Sequence, residues 1–507
     1  MSPRRVRLGL TIVASVASWS VATQASPLLE TVGAQGGSGG LAAAVTGPSS
    51  ASAYFNPALL TEASDEVVLG LTAVSEQIGV TLDGRSGGDV PRVVGGRADT
   101  APDGTPLDGA AVPTEWLERG CTEGTAPGQC RAPMEAARPR QGRGSSQVTR
   151  SVLVLGGVKG LWPGRVTLGA TLVAPLARLT TARSFYADER EALFSNSLHP
   201  ELYGDRLTTV AAVVGAGVKV APALSVGLGA SLSLASGASA ETYVRDSTNY
   251  DTLLVNNDVG VRAFLSPHVG FRVAPTPRVR LSGSAHAPQS MVLETDIAAT
   301  LPNGASSKTH RRQVFGFLPW TVRLGTEVDL VTTRRYAMSA VAVAKFAAYG
   351  TYEDRQGQRP STYGVAAEDT LTWTAGVRHR IGEVRGRIDL EYAPTPFPAQ
   401  TGRSNYVDSD RVGIAAGVEA PVPRALLPKG PTVVPGLSFL VHRLAWRHQS
   451  KDDAAVVDEV PDGAVSASTR APIAGSQGLQ TNNPGWPGFG SKGWIVSAGV
   501  TVRLLWP

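Results

Sequence analysis

The chain has 507 residues, of which 42% are hydrophobic and only 18% charged, with 57 glycines and a formal charge of +5. Its mean hydropathy of −0.01 means that apolar residues are plentiful but dispersed. That excludes a bundle of membrane-spanning helices, each of which needs about 20 consecutive apolar residues, and leaves strands with one apolar face. The longest apolar run, residues 8–22, follows Arg4, Arg5 and Arg7 and precedes Thr23-Gln24-Ala25, so residues 1–25 read as a secretory signal peptide. Removing those three arginines takes the charge from +5 to +2, and nothing in the balance then points to a nucleic-acid partner.

Residues 26–65 follow. The stretch 33–60 is rich in Gly, Ala and Ser, contains Gly33, Gly36, Gly37, Gly39 and Gly40, and lacks a strand period, yet it is too apolar for a solvated tail. Asn56 suits an N-cap and Pro57 the first helical position, so a short helix is expected from Asn56-Pro57-Ala58 into the first strand. Gly36-Gly37-Ser38-Gly39-Gly40 fits the letters of a hydrolase elbow, but no strand precedes it and no helix follows. The same glycines lack the Lys-Ser/Thr of a phosphate loop.

From residue 66 to the end, about fourteen stretches of two-residue alternation are joined by connections that are short and long by turns. The short ones lie at 162–165, 221–223, 274–277, 331–334 and 382–383, with a longer one at 421–433; the long ones span 83–147, 182–205, 246–257, 300–309, 353–368, 394–409 and 451–491. Antiparallel strands that cross a slab sort their connections in this way, one kind to each rim. Within the strands the parities separate cleanly. Val279, Leu281, Gly283, Ala285, Ala287, Met291 and Leu293 oppose Arg280, Ser282, Ser284, His286, Ser290 and Glu294, while Ile388, Leu390 and Tyr392 oppose Arg385, Arg387, Asp389 and Glu391. A lipid-facing Arg costs about 2–4 kcal/mol at the bilayer midplane, which fixes the register. A soluble barrel of this width would enclose a lumen that side chains cannot fill, whereas lipid covers an apolar exterior of any width. The expected fold is all-β: a transmembrane, antiparallel, up-and-down β-barrel of about fourteen strands in a bacterial outer membrane, with membrane lipid as its surroundings.

Three features of this barrel bear on function. Pro175, in the third strand at 166–181, cannot donate to a ladder and marks either a weak point in the wall or a bulge near the rim. Arg323, Arg378, Arg380, Arg385 and Arg387 fall on neighbouring strands and present planar forks of donors, suited to holding a carboxylate or to pairing with acidic neighbours that fill the lumen. Cys121 and Cys130 lie nine positions apart in the first long loop of an exported chain, which favours a disulfide over two free thiols or half a metal site. The seven histidines show no metal spacing, and no cofactor is indicated.

The chain resembles the long-chain fatty acid transporter (FadL) family of outer-membrane proteins. The resemblance rests on the glycine- and alanine-rich segment ending in Asn56-Pro57-Ala58, on Leu318-Pro319-Trp320-Thr321-Val322-Arg323-Leu324-Gly325, on Asp408-Ser409-Asp410-Arg411-Val412 leading into Gly417, and on Asn483-Pro484-Gly485 before the last strand. It implies that residues 26–65 fold into the barrel as a plug containing short helices, with Gly33, Gly36, Gly37, Gly39, Gly40, Asn56, Pro57 and Ala58 as its motif. It implies passive uptake of hydrophobic small molecules, long-chain fatty acids or aromatic hydrocarbons, with no enzymatic step, and a sideways exit through the third strand at Pro175. Two departures stand out: the polar parity carries more Arg, Asp and Glu than the family's apolar path, and Trp506 is followed by Pro507 at the terminus read by the barrel assembly machinery. The alternative is a barrel that transports nothing and anchors its large loops for binding other proteins.

Overall fold

The computed structural model describes residues 27–506, except most of 84–143, 177–209, 244–253, 301–305 and 453–487 and a few single positions. Its main sheet has sixteen strands. In chain order these are β1 (Glu66–Leu82), β2 (Gly144–Trp162), β3 (Val166–Pro175), β4 (Ala211–Ala221), β5 (Leu224–Tyr243), β6 (Leu254–Thr276), β7 (Val279–His286), β8 (Gln289–Thr300) and β9 (Ser306–Leu318). They continue as β10 (Trp320–Thr332), β11 (Tyr336–Ala348), β12 (Thr370–Ile381), β13 (Val384–Ala393), β14 (Arg411–Glu419), β15 (Thr432–Ser450) and β16 (Gly488–Leu505). All but β8 and β9 form a closed antiparallel ring of fourteen, in which β4 pairs with β5 and β1 pairs with β16 from Glu66↔Leu505 to Leu82↔Phe489.

The alternation places side chains as lipid requires. Leu281, Leu324, Ile388, Leu390 and Val500 are exposed on the outside, while Ser282, Arg323, Arg387, Asp389 and Thr501 from the other parity are buried inside. Outward Trp320, Trp373, Tyr392 and Trp494 mark the long-loop end of the apolar band, and Trp162, Tyr336 and Trp506 mark the short-turn end. These are the two aromatic girdles of a membrane barrel. No helix among the described residues is long and apolar enough to cross a membrane, so the crossing is made by strands.

Residues 27–62 fill the lumen. Helix α1 (Pro27–Val32), helix α2 (Ser52–Phe55) and a 3-10 helix (Pro57–Glu62) are joined by a turn-rich loop. Leu28, Ala34, Val45, Phe55, Leu59 and Leu60 are buried among them and against the wall. The cap expected at Asn56 is present, its side chain accepting from the Ala58 amide at 3.1 Å, and the helix it opens is of the tighter 3-10 kind.

The strands depart from expectation in several places. β3 stops at Pro175 instead of running to 181, β2 starts inside the expected first loop, and β16 starts inside the expected last one. The alternation across 279–293 is broken after His286, and Met291, of the expected lipid-facing parity, is buried. Cys121 and Cys130 lie outside the described residues.

Candidate functional site

The wall holds the plug through charges that face a segment almost without charge of its own. Arg378 donates to the Gly39 carbonyl at 2.7 Å and Arg387 to the Gly37 carbonyl at 2.6 Å. Asp389 pairs with Arg378 at 2.5 Å and accepts from the Leu41 amide at 3.1 Å. The glycines allow this approach. Gly40 has φ +56, and a Cβ there would collide with the Asp389 carboxylate and the Arg387 guanidinium. Wall glycines do the same from the other side, since a Cβ at Gly227 would strike Pro57 and Ala58.

Asn56 does more than cap a helix. Its amide nitrogen donates to Ala44 O at 2.9 Å within the plug and to Phe271 O at 3.1 Å on β6. Arg272, also on β6, donates to Val45 O at 2.9 Å and pairs with Glu62 at 2.5 Å. At the junction of the first and last strands, Arg503 pairs with Glu66 at 2.6 Å and with Glu419 at 3.0 Å. Glu66 in turn accepts the Ser50 amide of the plug at 2.6 Å. Buried charges of this kind are tolerated because opposite charges and carbonyl oxygens lie against them.

The five arginines singled out in the sequence therefore divide. Arg323, Arg378 and Arg387 are buried against the plug, and Arg323 forms an ion pair with Glu30 on α1. Lys345 approaches the same carboxylate at 3.3 Å and the Tyr54 hydroxyl donates to it. Arg380 and Arg385 sit at the short-turn rim, where Arg380 bonds the Gly382 carbonyl at 3.3 Å and Arg385 lies 3.7 Å from Glu419. Glu30 was missed by the pattern reading, although it is the single charge in residues 26–61 and so the one plug residue able to answer wall cations.

Helix α1 separates two cavities. Toward the long-loop side lies one of ≈ 60 Å³, lined by Glu30, Thr31, Phe317, Leu318, Lys345, Tyr349 and Arg411 among others. On the other side lies an apolar one of ≈ 20 Å³, lined by Leu28, Leu29, Val32, Val152, Val154 and Val173. With about 10–15 Å³ needed per water, each cavity has room for no more than a few waters. Pro175 ends β3 beside the second cavity, opposite Val152. The next amide, Leu176 N, donates to Ser151 O on β2 at 2.8 Å, so by alternation Pro175 turns its nitrogen to the opposite edge. Among the described residues β4 pairs on that edge only as far as Val173, so the missing donor interrupts no ladder described there.

The geometry is that of a plugged outer-membrane barrel, and comparison with solved structures finds the same fold. A FadL homologue of Pseudomonas aeruginosa aligns over 95% of this chain and 98% of its own, with 13% identity and a TM-score of 0.53. The toluene transporter TodX of Pseudomonas putida aligns over 96% of this chain and 99% of its own at 11% identity, with a TM-score of 0.46. The toluene transporter TbuX of Ralstonia pickettii covers the same shares at 11% identity, with a TM-score of 0.40. No family model and no curated protein matches the chain. The chain has the fold of the FadL homologue, here a fourteen-stranded barrel entered by its own N-terminal segment.

Proposed function

We propose that this protein is a channel for passive uptake of amphipathic or hydrophobic small molecules, long-chain carboxylates foremost, with α1 as its gate. The observation that carries the reading is the position of Glu30: a carboxylate of the plug occupies Arg323 and Lys345 beside a cavity of mixed polar and apolar lining, while the opposite face of the same helix borders an apolar cavity. An incoming carboxylate competes with Glu30 for the same two cations. Once Glu30 is displaced, a small movement of α1 joins the two cavities. The way out in this reading runs beside Pro175, where the strand ends over the apolar cavity. No chemical step is involved, so neither nucleophile nor cofactor is called for.

Reconstituted in liposomes, the protein is expected to carry dodecanoate inward, and Glu30→Gln to raise the rate by about tenfold, since losing one competing ion pair is worth roughly 1.4 kcal/mol. Toluene, which has no carboxylate, is expected to gain less from the same change. Equal dodecanoate entry with and without the protein would instead favour a barrel that serves as an anchor for its loops.

A further inference from the structure

The wall changes partners at one level. β6 and β7 pair from Thr276↔Val279 up to His268↔His286, and Ala287 N still donates to Pro267 O at 3.0 Å. There the ladder stops. β8 continues in the direction of β7 but pairs in parallel with β5, from Ala235↔Val292 to Tyr243↔Thr300, so it lies along the far edge of the β5–β6 hairpin. The β6 edge that faced β7 has no strand partner over residues 254–266 among the described residues.

Prolines set this level. The register places Pro267 opposite Ala287 and Thr321 opposite His286, so Pro267, Pro288 and Pro319 fall within about one residue of a common line across neighbouring strands. None has an amide to extend a ladder. Ser266 Oγ spans the line at 3.1 Å from both Ala287 O and Pro288 O. Immediately inside are His286, Ala287, Gln289, Phe317 and Pro319, which line the larger cavity; immediately outside is Trp320 of the outer girdle. An unpaired strand edge is not tolerated in hydrocarbon, and at headgroup level water satisfies it.

We infer that this proline line is a side entrance, through which a single-chain carboxylate amphiphile lying in the outer leaflet passes between β6 and the β7–β8 junction into the larger cavity. Its head moves at headgroup level toward Lys345 and Arg411, and its chain follows along Phe317 and Leu318. The inference rests on the channel reading and adds to it the point of entry, which is distinct from the exit beside Pro175.

The test uses the full chain in liposomes whose outer leaflet carries dodecanoate with a diazirine on its alkyl chain. On illumination the label is expected in the peptide containing residues 286–291. Ala287→Trp, which fills the line, is expected to slow uptake roughly tenfold or more, and Ser266→Ala, which removes the bridging hydroxyl, to speed it about twofold. Heat-modified gel mobility reports whether each variant is folded, and if Ala287→Trp is not, the labelling of the unaltered protein decides. Label confined to β3 or the long loops, or a smaller loss in folded Ala287→Trp, overturns the entrance while leaving the channel. Absence of uptake by the unaltered protein overturns the channel itself.

Discussion

Below the outer girdle, Arg503 is held by Glu66 and Glu419, Arg378 by Asp389 and the Gly39 carbonyl, and Arg272 by Glu62 and the Val45 carbonyl. Above it, along β6 and β8, both faces of β6 from Leu254 to Gly260 are exposed, and one of its edges lacks a strand partner among the described residues. The contrast teaches where this barrel can move. A wall cross-linked by buried ion pairs resists displacement, because separating any pair strands a charge in a place water does not reach. A wall whose backbone groups meet water loses little when it opens. Helix α1 stands between these regimes, since Glu30 ties it to Arg323 and Lys345 on the wall.

The sharpest way to break the contrast is to unpin the lower wall. Arg503→Met leaves Glu66 buried without its cation and Glu419 with only the more distant Arg385, and a loss of about 3–5 kcal/mol is expected, read as a lower temperature for the shift in gel mobility on heating. Next comes a matched pair on the outer surface. Leu390→Arg places a charge in the apolar band and should cost about 2–4 kcal/mol in urea-driven unfolding from vesicles, whereas Val259→Arg, on the exposed top of β6, should cost about 0–1 kcal/mol. Equal costs at the two sites would place the upper hairpins in lipid and erase the distinction.

Gly40→Ala tests the tightness of the plug. Strain at φ +56 together with the collision with Asp389 should weaken plug seating by about 1–3 kcal/mol, seen as more frequent openings in planar bilayers. The smallest effect is expected at the cap that the long connection 394–409 forms over the long-loop rim, where Asp408 is buried. There burial pushes the Asp408 carboxyl up to about 6, although Thr395 and Tyr203 hydrogen-bond to it. The folded cap then binds a proton more tightly than the unfolded chain, so its stability rises as pH falls from neutrality through about 6 and levels off below the ordinary value of 3.8. Hydrogen exchange over residues 394–409 should slow between pH 7 and pH 5, and Asp408→Asn should remove that dependence.

Much of the barrel was legible because lipid penalises error strongly. In β13, Arg385, Arg387, Asp389 and Glu391 alternate with Ile388, Leu390 and Tyr392, and only one register keeps those charges out of hydrocarbon. The start of the 3-10 helix at Pro57 was legible for a local reason, since Asn56 and Pro57 act within one turn. Partner choice was not. A period of two says which face of β8 is apolar but not whether its edge meets β5 or β6, because backbone edges are chemically alike. The residues that settle it, Pro267, Pro288 and Pro319, look unrelated along the chain and become neighbours only once the register is known. The plug site was half legible: Arg323, Arg378 and Arg387 stood out as inward cations, but nothing local showed that they would meet Glu30 and the carbonyls of Gly37 and Gly39.

Glu66 touches the opening strand, the closing strand and the plug at once, through its own position on β1, through Arg503 on β16 and through the Ser50 amide. Biogenesis inherits a constraint from that triple junction. The carboxylate gains its full set of partners only when the cylinder is zipped and the stopper lies within, so each of the two events stabilises the other. A barrel that closed empty would leave Glu66 without its Ser50 partner, so corking and sealing reinforce each other at one side chain.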